Sequence, residues 1–450
     1  MLTDVIAAVA TPPGRSAIAL IRVSGRGCHA VAAKVLQPFN PQPYRRARRA
    51  KAVDPRTGEI LDQVLYTVFA APASYTGEDM VEIGTHGGLL VPAGVLAALF
   101  AAGARQAAPG EFTRRAVLNG KLDLIQAEAV ADVIDAATPA QRRAALRQLD
   151  RGLSRRIEQL REQVLELEAL VSYDIDFPEE DSGPVPPQRV EAAATALLEA
   201  LRGLLATAAD GEKLREGALV VIAGRPNAGK SSLFNALLGS ERAIVTEIPG
   251  TTRDAIEAMA SCGGFPFRLV DTAGLRESED RVEKLGIEVS RRYLRAADLV
   301  LFCVEAGRDL EPEEKRFVEE LGDRVLIVRT KADLVPIDEL PPPEAAELWV
   351  SALSGTGLDR LRDRLAERAF SGLAGGGDLA ELVTRERHRL ALERALEEVE
   401  SFVRARREGI EAAVAATHLR AAVAALEELI GVVSTEDILD RVFSTFCVGK

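Results

Sequence analysis

Residues 224–231 read GRPNAGKS, which places two glycines, a lysine and a hydroxyl at the spacing G-x-x-x-x-G-K-[ST]. Glycines let backbone N–H groups curl around phosphate oxygens, and a helix that starts at the end of the loop adds positive potential. The loop follows the apolar run VVIA and opens SLFNALL, so strand, loop and helix come in the order a phosphate cradle requires. The pattern assigns Lys230 to the β- and γ-phosphates and the Ser231 hydroxyl to a magnesium ion. Asn227, Ala228, Gly229 and Ser232 complete this part of the nucleotide site.

Two further stretches follow in order. TKAD (Thr330, Lys331, Ala332, Asp333) comes after RVLIVR, and SAL (Ser351, Ala352, Leu353) comes after LWV. An aspartate placed here accepts the two N–H donors on the Watson–Crick edge of guanine, which adenine lacks, so Asp333 specifies GTP. The usual motif is Asn-Lys-x-Asp. Thr330 departs from it, and a hydroxyl makes fewer hydrogen bonds than an amide, which predicts looser guanine binding. DTAG (Asp271, Thr272, Ala273, Gly274) is the turn at which a GTP hydrolase senses the γ-phosphate, with Asp271 and Gly274 as sensors. Ras-like enzymes place a water-orienting glutamine directly after it, whereas this chain has Leu275. Other groups must therefore hold the water and the charge.

The elements that position these residues can be read from apolar spacing. ALVVIAG, SSLFNALLG, FPFRLVD, DLVLFCV, RVLIVR and LWVS alternate as strands and helices, the signature of a mostly parallel sheet. Before them, AIALIRVSG and DMVEIGTHGG mix with the turns TPPGR and APGEF and predict a compact α/β domain over residues 1–119. Leu153, Ile157, Leu160, Val164, Leu167 and Val171 line one helix face. The segment FPEEDSGPVPPQ (177–188) breaks that helix, and a second helical run reaches about Leu214. SGLAGGGD (371–378) reads as a flexible joint, after which Leu392, Leu396, Val399 and Val403, then Leu419, Val423, Leu426 and Ile430, resume helical spacing. The predicted organisation is multidomain α/β plus all-α, with a helical domain in two parts (120–215 and 372–450) carrying an inserted nucleotide domain (216–371). Four domains in plain series are the alternative.

At 450 residues, with 47% hydrophobic and 28% charged residues, the chain has the composition of a soluble globular protein of roughly two to three domains. No charged leader precedes an apolar run, and no apolar stretch approaches the ~20 residues that cross a bilayer, so a cytoplasmic protein without a membrane partner is expected. Cys28, Cys262, Cys303 and Cys447 are scattered, and neither they nor His29, His86, His388 and His418 fall at zinc spacing. A net charge of -12 argues against broad affinity for nucleic acid, so any RNA contact must be local. YRRARRAK (44–51) is the better candidate and RRYLR (291–295) the weaker, though for each a solvated basic face or loop is the stronger reading.

GRPNAGKSSL, TEIPGTTRD, DTAGLRES and TKAD, with TPPGR, SYTGED, GKLDLIQAEA and the terminal FCVGK, closely resemble the MnmE (TrmE) family of tRNA-modification GTPases. The match runs end to end, and GKLDLIQAEA and FCVGK are not general GTPase features. The resemblance implies an N-terminal folate-binding and dimerising domain, a central helical domain and an inserted P-loop (Ras-like) G domain. It also implies a homodimer that works with the flavoprotein MnmG (GidA). Together they add a carboxymethylaminomethyl or aminomethyl group to C5 of the wobble uridine, U34, of certain tRNAs.

The same resemblance answers the leucine. A potassium ion supplies the missing charge, held by Asn227, Thr246, Ile248 and Thr251, while Thr252 completes the magnesium shell with Ser231. Glu247, Pro249 and Gly250 lie in the same nucleotide-contacting loop. Glu283 holds the water through a second water. Arg22, Glu82, Lys121 and Lys450 line a pocket for a formyl- or methylene-tetrahydrofolate, and Cys447 is a candidate for the modification chemistry, its thiol standing close to the Lys450 charge. CVGK is not a prenylation box, because glycine is not aliphatic and lysine is not a usual final residue. The main alternative is a ribosome-assembly GTPase that uses nucleotide to time RNA docking, although no KH-type GxxG segment in a basic context accompanies it. A folate-dependent one-carbon transferase with an accessory G domain is the third.

Overall fold

The computed structural model describes residues 4–42, 46–176, 186–239, 256–271, 292–336, 347–374, 379, 381–432 and 436–450. The chain divides into two compact units, one made of residues up to 131 with 424–450, the other of 132–423.

The first unit is built on a sheet of β1 (Ile6–Val9), β2 (Ile18–Ser24), β3 (Leu36–Gln37), β4 (Arg48–Val53), β5 (Ile60–Phe69), β6 (Met80–His86) and β7 (Arg105–Gln106). Their order is β3-β4-β5-β6-β2-β1-β7, antiparallel except for the β1–β7 pair. Helices Cys28–Val35 and Leu90–Ala102 bury Val31, Val35, Val95 and Leu99 against Ile21, Val23, Val81 and Ile83. Each such side chain contributes about 1.5–3 kcal/mol. Beneath the sheet edge, Arg115 is 1% exposed and meets Asp4 Oδ1 at 2.8 Å, Glu111 Oε1 at 2.9 Å and Glu78 Oε2 at 3.2 Å.

Residues 424–450, predicted as the end of the second helical part, belong to this unit. Leu439, Phe443 and Phe446 pack with Leu124 and Ala127. Pro109 bridges Val448, and Phe112 donates its N–H to the Lys450 carbonyl at 3.1 Å. The turn APGEF is fitted to this tail: a Cβ on Gly110 (φ 66) would stand 2.8 Å from the Phe443 carbonyl oxygen.

In the second unit, helices Pro139–Leu149, Gly152–Asp176, Pro187–Ala206, Ala208–Glu216 and Glu386–Arg407 form the helical part. The first has Thr138 and Gln141 as a capping box with Pro139 at its start. Leu153, Ile157, Leu160, Val164, Leu167 and Val171 are all buried, as their spacing predicts. In Glu386–Arg407 the buried face runs through Leu392, Ala395, Val399 and Phe402, with Leu396 and Val403 only half-buried at its margin. The stretch Pro187–Glu216 contains a window of mean hydropathy 1.3, which corrects the reading that no apolar run is long enough to span a membrane. The helix over its first two thirds instead buries Val190, Ala194, Leu197, Leu201 and Leu204 as a core stripe. Of SGLAGGGD, Ser371–Ala374 is helical with Leu373 buried, and 375–378 lie outside the described residues.

The nucleotide sheet comprises β8 (Ala218–Gly224), β9 (Ile256–Cys262), β10 (Phe265–Asp271), β11 (Leu299–Glu305), β12 (Val325–Thr330) and β13 (Leu348–Trp349) in the order β13-β12-β11-β8-β10-β9. Every pairing is parallel except β9–β10, a hairpin closed by Gly263 (φ 59) and Gly264 (φ 80). Two glycines between strands are the composition a two-residue turn demands, since both positions need positive φ.

Candidate nucleotide site

The carboxyl ends of the parallel strands carry the residues singled out in the sequence, where open α/β sheets place their ligands. Gly224 ends β8, Asp271 ends β10 beside Ile222 of β8, and Thr330 ends β12. Gly224 (φ 141) has no alternative there, because a Cβ would come within 2.5 Å of the Cys303 carbonyl on β11. Arg225 anchors the outgoing arm of the loop to Glu311 and, at 3.1 Å, to Glu314 of the helix Pro312–Leu321. Arg308 meets the same Glu314 oxygen at 2.7 Å, and this bond keeps the Glu314 carboxyl below its ordinary range.

The Lys230 ammonium is buried and donates to the Arg225 carbonyl at 2.7 Å, so it sits inside the curl of the loop. Ser231 and Ser232 lie exposed in the first turn of the helix Lys230–Gly239. Asn227 has φ 64, a left-handed conformation that asparagine adopts more readily than most residues. It is exposed, and among the described residues its amide has no hydrogen-bond partner. Asp271 is 2% exposed.

TKAD and SAL meet at a small cavity of about 150 Å³ that also touches Gly229 and Leu233. The Ser351 hydroxyl donates to Asp333 Oδ1 at 2.5 Å and accepts the N–H groups of Leu353 (3.2 Å) and Ser354 (3.1 Å). Asp333 is thus held by a residue that is itself fully buried. Lys331 (φ 58) pairs with Glu305 at 3.1 Å, and buried Ala332 donates its N–H to the Val350 carbonyl, joining the two loops. Thr330 donates its hydroxyl to the Ala228 carbonyl at 2.8 Å, tying the base loop to the phosphate loop. A roomier cavity of about 640 Å³, lined by Gln141, Arg215 and Arg268 among others, contains none of the predicted site residues.

Thr246, Glu247, Ile248, Pro249, Gly250, Thr251 and Thr252 lie outside the described residues, as do Thr272, Ala273, Gly274 and Glu283.

The N-terminal unit assembles a second cluster. Arg22 on β2 pairs with Glu82 on β6 at 3.0 Å, donates to the Gly449 carbonyl at 3.3 Å and lies 5.2 Å from the Tyr75 ring centre. Lys450 stands beside them, half-buried, and burial followed by the Arg22 charge pushes its pKa below the usual lysine range. SYTGED is fastened from several sides: Thr76 to Ser24 at 2.7 Å, Tyr75 to Thr113 at 2.8 Å, and Asn119 Nδ2 to the Thr76 carbonyl at 2.8 Å. Gly77 (φ 77) faces Lys121, whose Cγ would be 3.1 Å from a Cβ there. The motifs SYTGED, GKLD and FCVGK, distant in sequence, are therefore neighbours. Tyr75, which motif reading did not single out, joins this cluster through Arg22; its place in SYTGED was the available signal. Cys447 is exposed near Lys450.

Comparison with known proteins agrees with this arrangement. Residues 124–447 match the family pattern described as the MnmE helical domain, and residues 5–121 match the GTP-binding protein TrmE N-terminus. The tRNA modification GTPase MnmE of Moorella thermoacetica is 46% identical over 464 residues, covering 100% of both chains. That of Aquifex aeolicus is 43% identical over 452 residues with the same full coverage, and that of Methylorubrum populi is 47% identical, covering 99% of this chain and 98% of its own. The chain belongs to the MnmE family of tRNA modification GTPases. It is a GTPase, and that chemistry implies GTP as substrate and Mg²⁺ as the phosphate-bound cation.

Proposed function

We propose that this protein hydrolyses GTP to drive the modification of U34 in certain tRNAs, working with the flavoprotein MnmG to install a carboxymethylaminomethyl or aminomethyl group at C5. The carbon comes from a tetrahydrofolate held by the N-terminal unit. The observation that carries the reading is the convergence of Arg22 on β2, Glu82 on β6 and Lys450 of FCVGK onto one spot. Glu82 suits the amide and amino edge of a pterin, and the Arg22, Lys121 and Lys450 cations suit its glutamate tail. Cys447, exposed beside this cluster, takes part in the modification step.

In the nucleotide site, Lys230 moves from the Arg225 carbonyl to the β- and γ-phosphates, and Ser231 offers its hydroxyl to magnesium, with Thr252 as the second protein ligand. Asp333, oriented by Ser351, selects guanine. Asn227 offers a free amide oxygen to a potassium ion, joined by groups of Thr246, Ile248 and Thr251. When bound, that ion places positive charge at the bridge between the β- and γ-phosphates. Glu283 positions the attacking water where Leu275 cannot, acting through a second water. The protein is a cytoplasmic homodimer through its N-terminal domain. The exposed Arg46, Arg49 and Lys51 near β4 offer a local basic surface for tRNA.

Nucleoside mass analysis of tRNA from a strain lacking the protein, complemented with this chain or with Arg22→Ala, tests the reading. Loss of the U34 side chain, restored by the unaltered chain and not by the variant, is expected. Normal U34 with defective ribosomes overturns it in favour of a ribosome-assembly switch.

A further inference from the structure

The Thr330 hydroxyl has one proton to give. It points to the Ala228 carbonyl at 2.8 Å, with the Val304 carbonyl as a second acceptor at 3.3 Å, and the side chain is buried. Its Cβ lies 3.3 Å from where a Cβ on Gly229 would stand, so the two loops touch at this point. A purine carries its sugar on the five-membered ring. A guanine seated with its phosphates on residues 224–231 and its six-membered edge at Asp333 would bring its imidazole ring, with N7, to the Thr330 and Gly229 side of the cavity. N7 is an acceptor and needs a donor. An amide at position 330 could serve Ala228 and N7 together with its two N–H groups, whereas the threonine hydroxyl is already used. Of the other polar groups on the cavity, Asp333 only accepts and Lys331 is held by Glu305 at 3.1 Å. Ser232, exposed in the first turn of its helix, also lines the cavity, and its hydroxyl is the competing donor that the test must address.

We infer that this chain reads guanine through its six-membered edge alone and leaves N7 unread, so it accepts guanine nucleotides in which N7 is replaced by a C–H group. Thr330 is a positioning residue that braces the base loop against the phosphate loop. This rests on the assignment of Asp333 as the guanine reader, and the two can fail separately.

The test is equilibrium binding of GDP, 7-deaza-GDP and IDP to the full-length chain with Mg²⁺. The unaltered chain should bind 7-deaza-GDP within about twofold of GDP and IDP about tenfold more weakly, the loss expected for one hydrogen bond to a carboxylate. Thr330→Asn should create a preference for GDP over 7-deaza-GDP of about fivefold. A penalty of about fivefold or more against 7-deaza-GDP in the unaltered chain, with IDP still weak, overturns the inference and leaves Asp333 as reader. Ser232→Ala then shows whether that hydroxyl is the donor. IDP binding as tightly as GDP overturns the Asp333 assignment and the inference with it. The unaltered chain decides the matter even if Thr330→Asn folds poorly.

Discussion

Phe112 gives its backbone N–H to the Lys450 carbonyl across 3.1 Å, and this bond, with the Pro109–Val448 bridge, lays FCVGK along the N-terminal unit. The tail is part of that unit's wall, because Gly449 also accepts from Arg22. Removal of residues 448–450 should therefore abolish binding of 5-formyltetrahydrofolate in calorimetry while GTP turnover by the same preparation stays within about twofold. Retained folate affinity would detach the tail from the proposed pocket. Far-ultraviolet circular dichroism on the same sample checks that the unit still folds.

Ser351 offers a finer probe of the guanine pocket. Its hydroxyl holds Asp333 at 2.5 Å while accepting two backbone N–H groups. Ser351→Ala leaves the carboxylate in place but unsteered, so KM for GTP should rise by about 5–10-fold with kcat nearly unchanged, the pattern of lost uniform binding. Asp333→Asn, which turns an acceptor into a donor, should weaken GTP by on the order of 100-fold and favour XTP. Steady-state kinetics with both nucleotides checks the pair.

The phosphate loop and the mostly parallel sheet around it were legible in sequence because local chemistry and apolar spacing fix them. Only a glycine fits beside Cys303 at position 224. The β9–β10 hairpin was missed. IEAMASC has mixed polarity and no clean alternation, and its strongest signal, Gly263-Gly264, lies in the turn rather than the strand. The Arg22–Glu82–Lys450 cluster shows a different limit. Each residue alone looks like a surface charge, and the distance from 22 to 450 is closed by tertiary contacts: the packing of Phe443 and Phe446 with Leu124 and the hydrogen bonds of the tail to Phe112 and Arg22. The family resemblance, not periodicity, is what groups those residues.

Acid stability should report on the buried Arg115 network. Burial raises the Glu111 carboxyl, but Arg105, the Ala108 N–H and Arg115 outweigh it, and its folded pKa falls below the ordinary 4.5. Asp4 is likewise lowered, chiefly by Arg105. A depressed carboxylate stabilises the fold above its unfolded pKa and loses that contribution as pH falls through the folded value. Glu111→Gln should cost about 3 kcal/mol at pH 7, because Arg115 stays buried with less compensation. The gap to the unaltered protein should narrow as pH drops below about 4.5. Urea unfolding at pH 7, 5 and 3.5 measures both effects, and a gap that does not change with pH would separate Glu111 from the titration.

The remaining prediction concerns the charge that replaces a glutamine or an arginine. Asn227 stands in a left-handed conformation at the rim of the phosphate loop with its amide uncommitted among the described residues, while Lys230 and Thr330 are already bonded within the site. If that amide holds a potassium ion, GTP turnover should be much faster in potassium than in sodium buffer. Asn227→Ala should lower kcat in potassium by roughly 100-fold, as removal of one preorganised electrostatic partner does, and erase the difference between the salts. Glu283→Ala should lower kcat by a comparable factor, roughly 100-fold, yet keep the potassium preference, because it acts on the water rather than on the bridge. Equal rates in the two salts for the unaltered chain would remove the cation from the mechanism and return the leaving charge to Lys230 and magnesium. The GTPase assignment would stand.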